Sequence, residues 1–312
     1  NLGTKKISDI VNADPTKISW TRALRTKVNN QLKLTFAAED ISTTLYRPFS
    51  KTHSYSSRDL LESPGISNRF FPSSNLNNEV ICVSGLGGSK DYSVLMSVNT
   101  VDFNCLEAGA QCFPFYYYEE NKRENPSLFD DPNDEGYVRR DGITDFILKR
   151  AIEQYGRNVT KEDIFYYVYG ILHSPDYRET FANDLKKMLP RIPLVEDVRD
   201  FWKFSKSGRK LADLHIKYEE VPPYEGVKVE GEDKEHYKVE KMRFARMRVK
   251  EDGKTRTVND TSIIHYNSSI TISNIPEQAY EYVVNGRSAI EWILERYQIT
   301  THKASGITND PN

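Results

Sequence analysis

Apolar and polar positions change period several times along this chain, and those changes divide it into sections. Residues 1–44 are polar with scattered apolar positions. Trp20, Leu24, Val28 and Leu32 recur every four residues there, which predicts one helix leading into the main body. From Leu45 to Tyr118 the pattern is that of strands. Glu79–Ser84 (EVICVS) and Tyr92–Val98 (YSVLMSV) flank Gly85-Leu-Gly-Gly-Ser-Lys90, which reads as a hairpin. Cys112–Tyr118 (CFPFYYY) predicts one aromatic strand, with Pro114 placing it near an edge or at a strand start. Glu119–Gly142 is acidic and turn-rich and reads as a loop between halves.

Helical spacing then takes over. Thr144–Tyr155 ends at Gly156, and Thr160 with Asp163 makes a capping signature for a helix running through Leu172. Ser174-Pro175 opens the next helix, with Tyr177, Phe181, Leu185 and Met188 along one face. Val195–Ser207 and Arg209–Tyr218 continue the block. Strand signals return over Tyr237–Ile275 around an Asp252-Gly253 hairpin turn. Pro276–Val284 and Ser288–Tyr297 are predicted to be helical, the second with an apolar stripe of Ile290, Ile293, Leu294 and Tyr297. The order strands, helices, strands, helices predicts an α+β fold. Strand-rich sections 45–118 and 237–275 pack in it with a helical block over 144–218.

Composition narrows the partners. Net charge is −2, so no global field draws the chain to nucleic acid, and any such face must be a local patch. No apolar run approaches the ~20 residues of a membrane helix, so no membrane partner is expected. Cys82, Cys105 and Cys112 are odd in number and lack CxxC spacing, which indicates neither a disulfide framework nor a zinc site and points to a reducing, cytoplasmic setting. A start at Asn1 without methionine and a polar end at Gly306–Asn312 predict a piece of a longer protein.

One patch stands out. Lys238–Arg256 carries eight cations (Lys238, Lys241, Arg243, Arg246, Arg248, Lys250, Lys254, Arg256) against Glu240, Glu251 and Asp252, a local +5 on a predicted hairpin. Its plain reading is a solvated face. An arginine-bearing β-ribbon is also a shape that enters the DNA major groove, where arginine reads guanine through two hydrogen bonds. A second cluster interleaves cations with aromatics: Tyr46-Arg47-Pro48-Phe49, Lys51, His53, Tyr55 and Arg58. It suits phosphate contacts and base stacking, or else a strand entering the core with exposed cations. Lys90, at the tip of the glycine-rich hairpin, is placed to meet a phosphate through backbone N–H groups. The candidate DNA contacts are therefore Arg47, Lys51, Arg58, Lys90, Arg243, Arg246, Arg248 and Lys254.

Catalytic patterns fail on chemistry. Val221-Pro222-Pro223-Tyr224 mimics an amino-methyltransferase loop, but valine cannot accept a hydrogen bond from the target amine. Asp176 with Asp184 and Lys186 resembles a metal-nuclease set, yet the predicted amphipathic helix strings them along one element. Gly85–Lys90 lacks P-loop spacing, and Asp131–Gly136 opens like a calcium loop but has Gly142 where the bidentate glutamate belongs. His173 reads as a helix-end histidine bonded to backbone. No catalytic residue, metal ligand or cofactor site is assigned to this stretch.

Ordered blocks along the chain add a family reading. They are Leu45–Phe49 (LYRPF), Val83–Lys90 with Tyr92–Leu95, Gln111–Tyr116, Asp163–Gly170 (DIFYYVYG), Leu172–Arg178 (LHSPDYR), Leu214-His215 with Tyr218-Glu219, Asn285–Trp292 and Ser305–Asn312. Over nearly its full length the chain resembles the C-terminal specificity region of Type ISP restriction-modification enzymes and related adenine-specific DNA methylase–helicase proteins. The resemblance implies a target-recognition domain over 45–312, with 1–44 leading in from an upstream catalytic domain. It implies double-stranded DNA as partner, and an AdoMet-dependent adenine methyltransferase upstream on the same chain that it positions DNA for. Where the parent also carries a motor and nuclease, it implies ATP and Mg there. The alternatives are a self-contained metal-dependent nuclease using Asp176, Asp184 and Lys186, and a structural or docking domain of the same large protein.

Overall fold

The computed structural model describes residues 12, 14, 20–57, 59–61, 65–73, 75–121, 136–232, 237–303 and 305–312. α1 (Arg22–Asn29) is capped by the Thr21 hydroxyl, which accepts from the amide of Leu24, and Leu24 is its buried anchor. The helix stops at Asn29, which leaves Leu32 exposed instead of on the predicted stripe. β1 (Ile41–Arg47) and β2 (Ser50–Tyr55) follow as a hairpin.

A three-stranded antiparallel sheet separates two cores. β3 (Val80–Val83) lies at its middle, flanked by β4 (Val94–Ser97), while β5 (Thr100–Val101) runs parallel beside β1. β6 (Gln111–Pro114) closes the other edge of β3, with Pro114 on that edge strand as its missing N–H requires. All four residues of β3 are buried, because both faces are covered. Ile81 and Val83 pack with Val94 and Met96 toward the helices, and Cys82 and Leu95 pack toward Leu45, Phe49, Leu106 and Trp292.

The predicted single strand over Cys112–Tyr118 is two. At Phe115 the chain leaves β3, and β7 (Tyr116–Glu120) pairs instead with β8 (Tyr137–Asp141). Buried Asn78 drives the switch: its side chain accepts from the Tyr116 amide at 2.9 Å and donates to the Tyr116 carbonyl at 2.6 Å. This also corrects the loop expected over 119–142, whose described ends form this ribbon; Asp131–Glu135 of the discounted calcium-like pattern lie outside the described residues.

The helical block is α2 (Asp145–Tyr155), α3 (Lys161–Leu172), α4 (Pro175–Thr180), α5 (Ala182–Leu185) and α6 (Val198–Ile216). Thr160 and Asp163 form a full capping box, and Ser174 caps α4 with Pro175 in the first turn. The helix expected from Ser174 to Met188 breaks at Phe181, so Tyr177 and Leu185 are buried while Phe181 and Met188 are exposed. The two helices expected over 195–218 are one, running without a break through Gly208. α3 crosses α6 backbone to backbone. A Cβ at Gly208 would collide with the Tyr166 carbonyl and stand 2.8 Å from the Gly170 amide, and a Cβ at Gly170 would collide with the Phe204 carbonyl. Around this crossing Tyr167, Tyr169 and Phe201 are essentially inaccessible, with Tyr155 stacked on Phe201.

The third core lies beyond. β9 (Lys228–Glu230), β10 (Arg243–Glu251), β11 (Lys254–His265) and β12 (Thr271–Ser273) form a sheet in the order β10–β11–β12–β9. The helix predicted over Pro276–Val284 is a single 3-10 turn, Glu277–Tyr280, followed by β13 (Val283–Val284). β13 turns through Asn285 and Gly286, both at positive φ, into β14 (Arg287–Ser288). α7 (Ala289–Arg296) starts at a Ser288–Glu291 capping box and joins two cores, Trp292 entering the second and Leu294 the third. β15 (Thr300–Thr301) and β16 (Thr308–Asn309) close the chain. Among the described residues, several small sheets packed with seven α-helices make the fold α+β, as the element order predicts.

Candidate nucleic-acid interface

The β10–β11 ribbon has a root and a free arm. Phe244 and Ile264 belong to the third core, and register then slips by three residues, so that Ala245 pairs with Asp260. The slip is fixed locally: one Asp260 carboxylate oxygen accepts from the amide and the hydroxyl of Ser262, at 3.0 and 2.6 Å. Beyond it no residue of the arm joins the core. The arm ends at Asp252-Gly253, both at positive φ, as a tight two-residue hairpin turn requires.

Pairing sorts the arm into two faces. Arg246 lies opposite Asn259, Arg248 opposite Thr257 and Lys250 opposite Thr255, so these six exposed side chains share one face. The other face carries Ala245, Met247 and Val249 against Asp260, Val258 and Arg256. Arg243, Arg246, Arg248, Lys250 and Lys254 form no ion pair with a described residue, and only Arg256 is paired, to Glu251 at 2.8 Å. Five cations along one ribbon with no carboxylate in ion-pair contact repel one another unless an anion supplies the countercharge. Asn259, Thr257 and Thr255 were not singled out by charge. The signal that finds them is the Asp252-Gly253 turn, which sets the register of the whole arm.

The other candidates are engaged within the protein. Arg47 donates to the Asp102 carboxylate at 2.7 Å and lies over the Tyr46 ring. Lys51 reaches Glu219 at 2.7 Å beside the Tyr218 ring. The Lys90 amide, expected to face a phosphate, already donates to Glu107 at 2.5 Å, and Ser89 donates to the same carboxylate at 2.7 Å. Those bonds hold the Glu107 carboxyl below its usual range, and only the exposed Lys90 ammonium is left for an external anion. The Gly85–Lys90 loop is thus pinned, with Gly87 donating to the Lys186 carbonyl. Arg58 lies outside the described residues.

Nothing in the Asp163–Arg178 block gathers for catalysis. His173 Nδ1–H donates to the Tyr169 carbonyl at 2.9 Å, and His215 meets the Tyr169 hydroxyl, both inside an aromatic cluster with Phe49 and Tyr282. Burial holds both histidines in the neutral form, His173 down at about 4 and His215, with His173 as neighbour, at about 3. The unfolded chain takes up these protons near pH 6.5 and the folded one does not, so stability falls as pH drops below that value. Each histidine is expected to cost about 2 kcal/mol at pH 5 relative to pH 7.5. Urea unfolding at the two pH values checks this, and His215→Gln should remove about half of the difference.

Asp176 sits in the first turn of α4, Asp184 lies on α5, and Lys186 pairs with Asp91 at 3.6 Å, so the nuclease set does not converge. Among the described residues no group of three or more His, Cys, Asp or Glu is placed to hold a metal ion. A cleft of about 1430 Å³ is lined by Glu39, Asp40, Glu79, Glu119, Glu120 and Glu162, with Arg69 the one cation among its described lining residues, which is the wrong sign for phosphate. Among the described residues no helix is long and apolar enough to cross a membrane.

The chain is 37% identical to an ATP-dependent Type ISP restriction-modification enzyme, LlaBIII, solved bound to DNA, with a TM-score of 0.79 over 95% of this chain and 18% of that one. A nuclease-deletion mutant of the Type ISP enzyme LlaGI, in complex with a DNA substrate mimic, is 40% identical with a TM-score of 0.77, covering 98% of this chain and 21% of that one. DrdV, solved as a DNA complex, is 32% identical with a TM-score of 0.77, over 95% of this chain and 27% of that one. This chain thus spans 18% to 27% of the length of these solved chains. No curated protein matches. The fold is that of a specificity domain. A family model described as the Type ISP C-terminal specificity domain matches residues 4–312, and the chain belongs to that family.

Proposed function

We propose that this domain recognises a sequence in double-stranded DNA on behalf of a larger modification or restriction-modification enzyme. It holds the duplex while an AdoMet-dependent methyltransferase, upstream on the same polypeptide, modifies adenine. The observation that carries the reading is the β10–β11 ribbon: five cations without carboxylate partners, Arg243 at its root and Arg246, Arg248, Lys250 and Lys254 on its arm, in a chain of net charge −2. A ribbon of that width fits the major groove, and its side chains alternate so that one face meets base edges. Residues 1–44 lead in from the catalytic part and 45–312 form the recognition unit. Arg47, Lys51, Arg58 and the Lys90 ammonium are secondary phosphate contacts. AdoMet, and ATP with Mg where a motor and nuclease are present, belong to the rest of the parent protein. Free thiols at Cys82, Cys105 and Cys112 suit a cytoplasmic protein, where a system acting on foreign DNA works.

A salt titration tests this. If Arg243, Lys250 and Lys254 each neutralise a phosphate while Arg246 and Arg248 face bases, log K against log[salt] falls with a slope of about −3 or steeper. Fluorescence anisotropy of a labelled duplex from about 50 to 200 mM salt gives the slope. A slope near zero removes the reading.

A further inference from the structure

The face of the arm that carries Arg246 also carries a residue of a different chemistry in the neighbouring position. Asn259 is the cross-strand partner of Arg246, exposed like it, and among the described residues neither side chain has a hydrogen-bond or ion-pair partner. Both line the mouth of a groove of about 820 Å³ between the ribbon and α7. We infer that Arg246 and Asn259 act as one reading unit for two adjacent purines, Arg246 on a guanine and Asn259 on an adenine, with Arg248 reading two base steps further along. The inference rests on the DNA-reading function proposed above.

Three pieces of geometry and chemistry lead there. Arginine presents two parallel donors that match the O6 and N7 acceptors of guanine, and an asparagine amide presents one donor and one acceptor that match N7 and N6 of adenine. Thr255 and Thr257 make no such two-point match, and Lys250 meets an acceptor as a flexible point charge without arginine's rigid planar fork. Cross-strand partners on one face have Cβ atoms about 4.5–5.5 Å apart, roughly one to one and a half base steps of 3.4 Å, so two such side chains can reach the edges of neighbouring base pairs. Residues two apart on a strand are about 6.8 Å apart, which is two base steps, and that is the offset from Arg246 to Arg248.

The apolar side chains of Ala245, Met247 and Val249 occupy the opposite face. The reading face is therefore the one with Arg246 and Asn259. A hydrogen-bonding amide at Asn259 is not needed for folding: the local register is already set by the tight turn and by Asp260–Ser262. Arg246 likewise holds nothing in place. Both positions are thus open to substitution without loss of the fold.

The test is selection of bound duplexes from a randomised pool, run on the 312-residue chain and on Asn259→Ala and Arg246→Lys, with circular dichroism as the folding control. The wild-type chain is expected to enrich a motif containing a guanine and an adenine within one step of each other and a second guanine two steps from the first. Asn259→Ala should lose preference at the adenine alone, by about 5- to 150-fold, while both guanines persist. Arg246→Lys, which keeps the charge, should lose preference at one guanine by a similar factor while the salt slope stays unchanged. A wild-type motif that neither variant alters overturns the reading unit and leaves DNA recognition standing. A wild-type chain that enriches no motif overturns both.

Discussion

Gly208→Ala is expected to destabilise the domain by about 3 kcal/mol, lowering Tm by roughly 6–12 °C. The sign is opposite to what the helix alone dictates. Gly208 lies in the interior of α6, where alanine gains up to about 1 kcal/mol in helix propensity and also reduces the entropy of the unfolded chain. Against that stands the crossing with α3. The added methyl meets the backbone carbonyl of Tyr166 and the amide of Gly170, neither of which can turn aside as a side-chain end can. The helices must separate, which loosens Tyr167, Tyr169 and Phe201 together. Gly170→Ala should act alike through the Phe204 carbonyl, and the double variant should cost less than the sum, because both methyls force the same separation. Thermal unfolding followed by near-UV circular dichroism gives the answer, and a rise in Tm would mean that the helices do not cross this closely.

That crossing explains the most distinctive run in the sequence. Asp163–Arg178 packs five aromatic rings, a glycine and a histidine into sixteen positions. Its Asp163 completes a capping box, Gly170 admits α6, His173 caps α3, and Ser174-Pro175 starts α4. Each residue has a structural task, and the block marks the family without forming a site.

Features set by neighbours in sequence were legible. The capping box at Thr160, the helix start at Ser288, the Pro175 start and the Asp252-Gly253 turn all act within a few residues, and each stands where the pattern puts it. Features set by distant residues were not. The break at Phe115 depends on Asn78, 38 residues before Tyr116. β8 is mostly exposed and so lacks an apolar alternation to announce it. The helix expected to Met188 was read from four apolar positions, two of which are exposed. The candidate interface divides in the same way. The ribbon cations were visible as a charge cluster. The carboxylates that neutralise Arg47 and Lys51 come from Asp102 and Glu219, 55 and 168 residues away, and the glycine-rich loop is tied by Glu107 and Lys186.

Reversing three ribbon charges together, as Arg243→Glu, Arg246→Glu and Arg248→Glu, is expected to weaken DNA binding by at least 100-fold. The substitutions turn the local +5 of Lys238–Arg256 into −1, so attraction to the backbone is replaced by repulsion along the whole arm. Loss of two-point contacts adds about 1–3 kcal/mol for each arginine that reads a base. The fold should survive, because all three side chains are exposed and none has an ion-pair partner among the described residues. The measurement is affinity for a duplex carrying the selected sequence at fixed salt, with Tm taken on the same samples. The account predicts an affinity loss of at least 100-fold at a Tm within about 2 °C of wild type; unchanged affinity in a folded variant would contradict it and leave the ribbon as a docking or structural surface.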